Sequence, residues 1–141
     1  MLADFAFLCT EIEFESGEHP RAAGIGIDRL ETAGLPVAAT FGIVCKTSPL
    51  GPVFEDPLLR FTVLDPDEQS RDLLPSRFHW QKSAFRPGES VVGFLAFFDD
   101  VSFNALGPHT IKAWARDRAG DDALPDAEVA SFTFAIVPQP T

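Results

Sequence analysis

Apolar residues recur at every second position along most of this chain. In the segment from Val37 to Cys45, and again from Phe132 to Ile136, they alternate with polar or small residues. Successive side chains of a β-strand point to opposite faces, so this spacing predicts strands with one buried face and one face in water. Clear segments with the spacing of an amphipathic helix are missing. The chain is therefore expected to be all-β.

Glycine and proline turns separate the alternating segments at intervals typical of antiparallel sheets, as at Gly34-Leu35-Pro36 and Pro87-Gly88. Eight strands are predicted, at about residues 4–15, 21–30, 36–46, 57–65, 76–82, 90–99, 108–117 and 127–137. We expect an antiparallel sandwich of two sheets, immunoglobulin-like, with about seven or eight strands. One domain over residues 1–141 accounts for the length.

Charge narrows the class of partner. The chain has 21 Asp and Glu residues against 11 Lys and Arg, a formal charge of −10. Such a surplus of acids repels the phosphates of nucleic acids and of anionic lipids. An acidic start predicts no secretory signal, and Cys9 and Cys45 lie in strand patterns typical of buried thiols. We expect a cytoplasmic protein that binds neither nucleic acid nor membrane.

Two segments depart from simple alternation. Near Cys9 to Glu11 the apolar residues change face, which predicts a bulge in the first strand. From Val91 to Phe98 both faces are apolar, and such a strand faces water on neither side. Either a loop or tail of the same chain covers the second face, or another subunit does.

Trp114 stands between Lys112 and Arg116 on the polar face of predicted strand 108–117. Trp and Arg are enriched where proteins dock, which favours a contact surface. Alternatively, Trp114 shields its own sheet while cationic side chains lie over its ring. If strands 90–99 and 108–117 are neighbours, their outer faces join in one apolar patch. The candidate interface residues are Val91, Leu95, Phe97, Lys112, Trp114 and Arg116.

Signs of catalysis are weak. The sequence has no nucleophile elbow, zinc-ligand pair or phosphate-binding glycine loop. His19, His79 and His109 lack a second ligand at metal spacing on the same element, so turn or surface positions are expected. A hydrolase would need His79 or His109 beside an acid and a nucleophile. We expect no enzyme, no catalytic residue, no metal ligand and no cofactor.

Two ligand-binding alternatives stay open. One is an apolar cavity between the sheets, lined by Phe61, Phe78, Trp80 and Phe94. The other is calcium, which takes six to eight oxygen ligands, at a pole where six carboxylates from predicted turns could meet. These are Asp65, Asp67, Glu68, Asp72, Asp99 and Asp100. A comparable group, Asp117, Asp121, Asp122 and Asp126, is predicted at the opposite pole.

Several short segments carry a resemblance to a known family. They are Ala3-Asp4-Phe5-Ala6-Phe7-Leu8, Gly24-Ile25-Gly26, Leu35-Pro36, Leu64-Asp65, Leu106-Gly107-Pro108, Ala113-Trp114 and Phe132-Thr133-Phe134. Together they resemble a bacterial family of small β-sandwich proteins classed as a domain of unknown function. The ending is also similar to the last hairpin of immunoglobulin-like and fibronectin-like domains. The resemblance implies the fold, and no catalytic residue, cofactor or substrate.

The sequence thus predicts a non-enzymatic module that acts through protein contacts, as a homo-oligomer or with a protein partner. A small-ligand or calcium-binding sandwich is the alternative.

Overall fold

A computed structural model describes residues 3–13, 21–23, 26–47, 57–83, 91–117 and 127–140. Within these ranges the chain forms eleven strands and no helix, as the alternation predicts. The strands are β1 (Ala3–Cys9), β2 (Glu11–Glu13), β3 (Arg21–Ala23), β4 (Arg29–Thr32), β5 (Val37–Thr47), β6 (Pro57–Leu64), β7 (Ser70–Leu73), β8 (Arg77–Ser83), β9 (Val91–Phe103), β10 (Gly107–Asp117) and β11 (Ala127–Pro138). The described residues therefore include no helix that could cross a membrane.

Nine of these strands form two sheets. One sheet has four strands in the order β1-β5-β9-β8, and the other has five in the order β4-β11-β10-β6-β7. The strands β2 and β3 pair only with each other, in a short ribbon. The pair β4–β11 is parallel, and the other described pairs are antiparallel. The all-β, two-sheet prediction is confirmed.

The two sheets share one core. The four-stranded sheet contributes Ile43, Phe94 and Phe98, and the five-stranded sheet contributes Val63 and Ile111, all fully buried. Each of these residues lies on one face of its strand, so one face of β5, β6, β9 and β10 turns inward. Two sheets that bury their inner faces against each other fit a sandwich.

The predicted strand boundaries were wrong where the chain bends. The predicted strand 4–15 is divided at Thr10 into β1 and β2, close to the expected change of face. The predicted strand 21–30 is divided by residues 26–28, where Gly26 has a φ of +88° and donates its N–H to the Leu8 carbonyl at 2.8 Å. The strand β7 was missed because it is four residues long and buries only Leu73.

Candidate functional site

The candidate interface residues lie on two different surfaces. Leu95 and Phe97 belong to β9 in the four-stranded sheet, whereas Trp114 belongs to β10 in the five-stranded sheet. The two strands follow each other in sequence, but residues 104–106 carry the chain from one sheet to the other. The condition for one continuous patch, that strands 90–99 and 108–117 are neighbours, is therefore not met. The side chain of Val91 lies outside the described part of the structure.

The outward side of β9 is partly covered by the chain itself. Leu95 and Phe97 are half-buried and are not part of the core. Beside them, Cys9 pairs with Gly42. Leu8 points inward, so Cys9 points to the outer face of the sheet, yet Cys9 is fully buried. The strand β2 contacts both β5 and β9 and pairs with neither. A segment of the same chain therefore accounts for part of the second apolar face of β9.

Trp114 is fixed on the outer face of the five-stranded sheet. Its indole Nε1 donates to the Thr62 hydroxyl at 2.9 Å, and Thr62 is itself buried in the sheet surface. The guanidinium carbon of Arg60 and the Nζ of Lys112 each lie 5.7 Å from the ring centroid, a cation–π arrangement. Lys112 is in turn held by Glu128, with 2.9 Å between Nζ and Oε1. The indole is thus oriented before any partner arrives.

The surface around Trp114 carries charges of both signs. Besides Lys112 and Glu128, it includes Arg60, which lies 3.8 Å from the Asp72 carboxylate. Arg116 lies two residues after Trp114 on the same face of β10 and is half-buried. We call this surface the Trp114 face. It consists of Arg60, Thr62, Asp72, Lys112, Trp114, Arg116 and Glu128. Alternation placed Lys112, Trp114 and Arg116 on one face, but the sequence did not predict that Arg60, Thr62, Asp72 and Glu128 lie beside them.

His109 occupies a different place from the one expected of it. The ring is fully buried, stacked on Phe134 at 5.4 Å and edge-on to Phe103 at 5.2 Å. Nδ1 lies 3.0 Å from the Gly107 carbonyl, and Nε2 is 3.5 Å from the Asp65 carboxylate without a hydrogen bond. The expectation of a surface or turn histidine was wrong.

The acid beside His109 does not complete a catalytic set. Among the described residues, no hydroxyl or thiol is hydrogen-bonded to the ring of His109. The Asp65 carboxylate also faces Arg71, whose Nε is 3.5 Å away and whose Nη2 donates to the Ser102 carbonyl. His79 is exposed on β8, and His19 lies outside the described residues. The contacts of Arg71 with Asp65 and Ser102 join the end of β6 to β7 and β9.

Three of the four residues predicted to line an aromatic cavity, Phe61, Phe78 and Phe94, lie in one cluster of rings. Phe61 lies 6.4 Å from Phe78, 5.7 Å from Phe94 and 5.2 Å from Phe98, measured between ring centroids. Phe78 and Phe94 stack at 6.2 Å. A ligand cavity lined by these rings and Trp80 stays a prediction. The side chain of Trp80 lies outside the described part.

A cavity of about 370 Å³ opens elsewhere between the sheets. Its floor is apolar and comes from both sheets, with Leu8 and Phe41 on one side and Ile111 and Phe134 on the other. Residues 27–30 close one side, because Gly26 is bonded to β1 while β4 pairs with β11. The sequence did not predict this cavity, since it depends on a segment that crosses between the sheets.

Four of the six carboxylates of the predicted calcium pole are engaged separately. Asp65 faces Arg71, Asp72 faces Arg60, and the Asp99 carboxylate accepts the Thr40 hydroxyl at 2.9 Å. Asp67 accepts the backbone N–H of residue 69. Across the described residues no group of three or more His, Cys, Asp or Glu side chains is placed to hold a metal ion. Asp121, Asp122, Asp126 and the side chain of Asp117 lie outside the described part.

Both cysteines are buried, and neither forms a disulfide. They lie on paired strands but oppose other residues, Cys9 opposite Gly42 and Cys45 opposite Ala6. Burial raises the pKa of the Cys45 thiol to about 12, because the low-dielectric core disfavours the thiolate. Cys45 is therefore a packing residue and no nucleophile at neutral pH.

Comparison with known proteins adds no family. No protein-family model matches the chain. No curated protein matches it at a significant level.

Proposed function

We propose that the protein is a non-enzymatic binding module that self-associates through the Trp114 face. The observation that carries this proposal is the rigid, half-buried Trp114 indole between two cations on an outer sheet surface. Tryptophan and arginine dominate the residues whose truncation most weakens protein interfaces. An indole already held by Thr62 loses little conformational entropy on docking, and that lowers the cost of binding.

A second copy of this chain is the occupant that the charges favour. A two-fold interface brings the same patch of both subunits together, so the patch must complement itself. The Trp114 face meets this requirement because Arg60, Lys112 and Arg116 lie beside Asp72 and Glu128.

Immunoglobulin-like topology and a cytoplasmic location belong to the same proposal. Immunoglobulin domains order one sheet as strands A, B, E and D and the other around C, F and G. The orders β1-β5-β9-β8 and β11-β10-β6 support that topology if β1, β5, β6, β8, β9, β10 and β11 are taken as A to G. The two buried cysteines, neither of which forms a disulfide, support a reducing compartment.

Sedimentation equilibrium over a range of concentrations tests self-association. We expect concentration-dependent association that Trp114→Ala weakens by about 30-fold or more, the effect of losing a hot-spot residue worth about 2 kcal/mol. Leu74→Ala is the matched control, because Leu74 is the most exposed large apolar residue described, at 88%. That control should associate like the wild type.

A monomer at all concentrations, or equal association of the wild type and Trp114→Ala, would overturn the proposal. Loss of folding in Trp114→Ala is separated from loss of docking by a thermal melt of the same sample. Arg60→Glu gives a second reading, because it alters the charge of the Trp114 face and leaves the indole in place. Arg60 is largely exposed, so the fold should tolerate this change.

A small-ligand sandwich is the second function we propose. The cavity of about 370 Å³ between the sheets favours it, since small-molecule sites usually measure about 300–1,000 Å³ and have mostly apolar linings. Calcium binding has no comparable support among the described carboxylates.

A further inference from the structure

We infer that the cavity between the sheets binds small amphipathic cations, with an apolar body inside and an amine at the Asp28 carboxylate. The inference is independent of self-association and deepens the ligand-binding alternative, on which it rests. It depends on the volume and lining of the cavity and on the charges at its mouth.

The floor of the cavity sets the body of the ligand. Leu8, Phe41, Ile111 and Phe134 are buried core residues, and Ala39 packs against the core at the wall. An apolar group placed against them leaves water for a hydrophobic surface, which is the main source of affinity in such sites. At about 30 Å³ for each water-sized volume, the cavity has room for roughly a dozen non-hydrogen atoms.

The charges at the mouth of the cavity determine which polar group of a ligand is favoured there. Asp28 and Arg29 both line it, but Arg29 is paired with Glu31 at 3.1 Å. Among the described residues no cation is paired with the Asp28 carboxylate, which is exposed. The cation at the mouth therefore already has a carboxylate partner, whereas the Asp28 carboxylate has no paired cation among the described residues. Together with the overall charge of −10, this favours a cationic head over an anionic one.

Other polar side chains at the mouth are already engaged. The Thr40 hydroxyl donates to Asp99 at 2.9 Å and accepts the backbone N–H of Asp100 at 3.2 Å. The backbone carbonyl of Asp28 accepts the N–H of Ala135 at 3.0 Å, which fixes the backbone that carries the carboxylate. The free carboxylate thus sits on a segment anchored to the five-stranded sheet.

Three compounds with one body and different heads test the inference: 4-phenylbutylamine, 4-phenylbutanol and 4-phenylbutyrate. Binding is measured by calorimetry and by methyl chemical shifts of Ala39 and Ile111. We expect the amine to bind about tenfold or more tighter than the acid, with the alcohol between them. All three should move the same methyl signals.

Variants separate the cavity from its charge. Asp28→Asn should weaken the amine by about threefold to fivefold and leave the alcohol unchanged, while the matched control Asp67→Asn, in the turn between β6 and β7, should change neither. Ala39→Leu should abolish binding of all three compounds by filling the cavity. If Ala39→Leu fails to fold, the methyl shifts of the wild type still locate the compounds.

The two possible failures are distinct. If none of the three compounds moves the Ala39 or Ile111 methyl signals, the cavity is no ligand site and the ligand-binding function fails. If the amine and the acid bind equally, or Asp28→Asn leaves the amine unaffected, the site remains but the cationic class is refuted.

Discussion

The packing of Phe98 gives the sharpest test of the fold, because its neighbour Phe78 in the same aromatic cluster provides a matched control. Phe98 is fully buried, stacks on Phe41 at 5.1 Å and meets Phe61 edge-on at 5.2 Å. Phe78 touches Phe61 and Phe94 but remains 40% exposed. In the sequence both are simply aromatic residues of alternating strands.

Phe98→Ala should cost about 3–5 kcal/mol of unfolding free energy, the usual range for deleting a fully buried ring. For 141 residues, an unfolding entropy of about 2.1 cal/mol/K per residue gives about 0.3 kcal/mol/K, so the melting midpoint should fall by about 10–17 °C. Part of the Phe78 ring is already exposed to solvent, so Phe78→Ala should lower the free energy of unfolding by only about 1–2 kcal/mol.

Urea unfolding, followed by circular dichroism and extrapolated linearly to water, measures both free energies. The wild-type transition must first be shown to be two-state, by agreement of circular dichroism with tryptophan fluorescence. Phe98→Leu serves if Phe98→Ala does not fold, and should lie between the wild type and the alanine variant. An equal or larger cost for Phe78→Ala would refute the described packing of the two sheets.

Three further predictions concern the backbone and the buried polar groups. Gly107→Ala should lower the free energy of unfolding by about 1–2 kcal/mol, because Gly107 has a φ of +111°. Gly34→Ala, which introduces no such strain, should be neutral or slightly stabilising. Chemical denaturation compares the two variants. His109→Phe keeps the stacking on Phe134 but leaves the Gly107 carbonyl without its ring partner, and should cost about 1–2 kcal/mol by the same assay; no loss would contradict the described contact. The Cys45 thiol stays protonated in the folded state, whereas the unfolded chain ionises it. Its contribution to the free energy of unfolding should therefore be present below pH 9.0 and be lost as the pH rises from 9.0 towards about 12. Cys45→Ala should remove that part of the decline, as measured by melts at stepped pH.

The alternation of apolar residues best predicted which residues face inward from the strands. It identified Ile43, Phe61 and Phe132 as core residues, and all three are buried. The same rule applied to β10 would have placed His109 inside, two positions before Ile111. The general preference of histidine for turns and surfaces outweighed that local signal.

Contacts between distant segments were beyond the sequence. Trp114 was recognised as an outward residue, but its hydrogen-bond partner Thr62 comes from β6, 52 residues earlier. Alternation says which face a side chain occupies and nothing about which strands pair. For the same reason the placement of β9 and β10 in opposite sheets, which separates Leu95 from Trp114, could not be foreseen.

Dilution followed by nuclear magnetic resonance tests the docking of a second copy most directly. The indole N–H of Trp114 reports on the proposed interface, and a spectrum of Trp114→Phe assigns its signal. Between micromolar and millimolar protein, we expect this signal and the amides of Arg60, Thr62 and Lys112 to shift along one binding curve while those of Arg29 and Leu95 stay still. Shifts confined to Leu95 and its neighbours, or no shift at any concentration, would contradict the account.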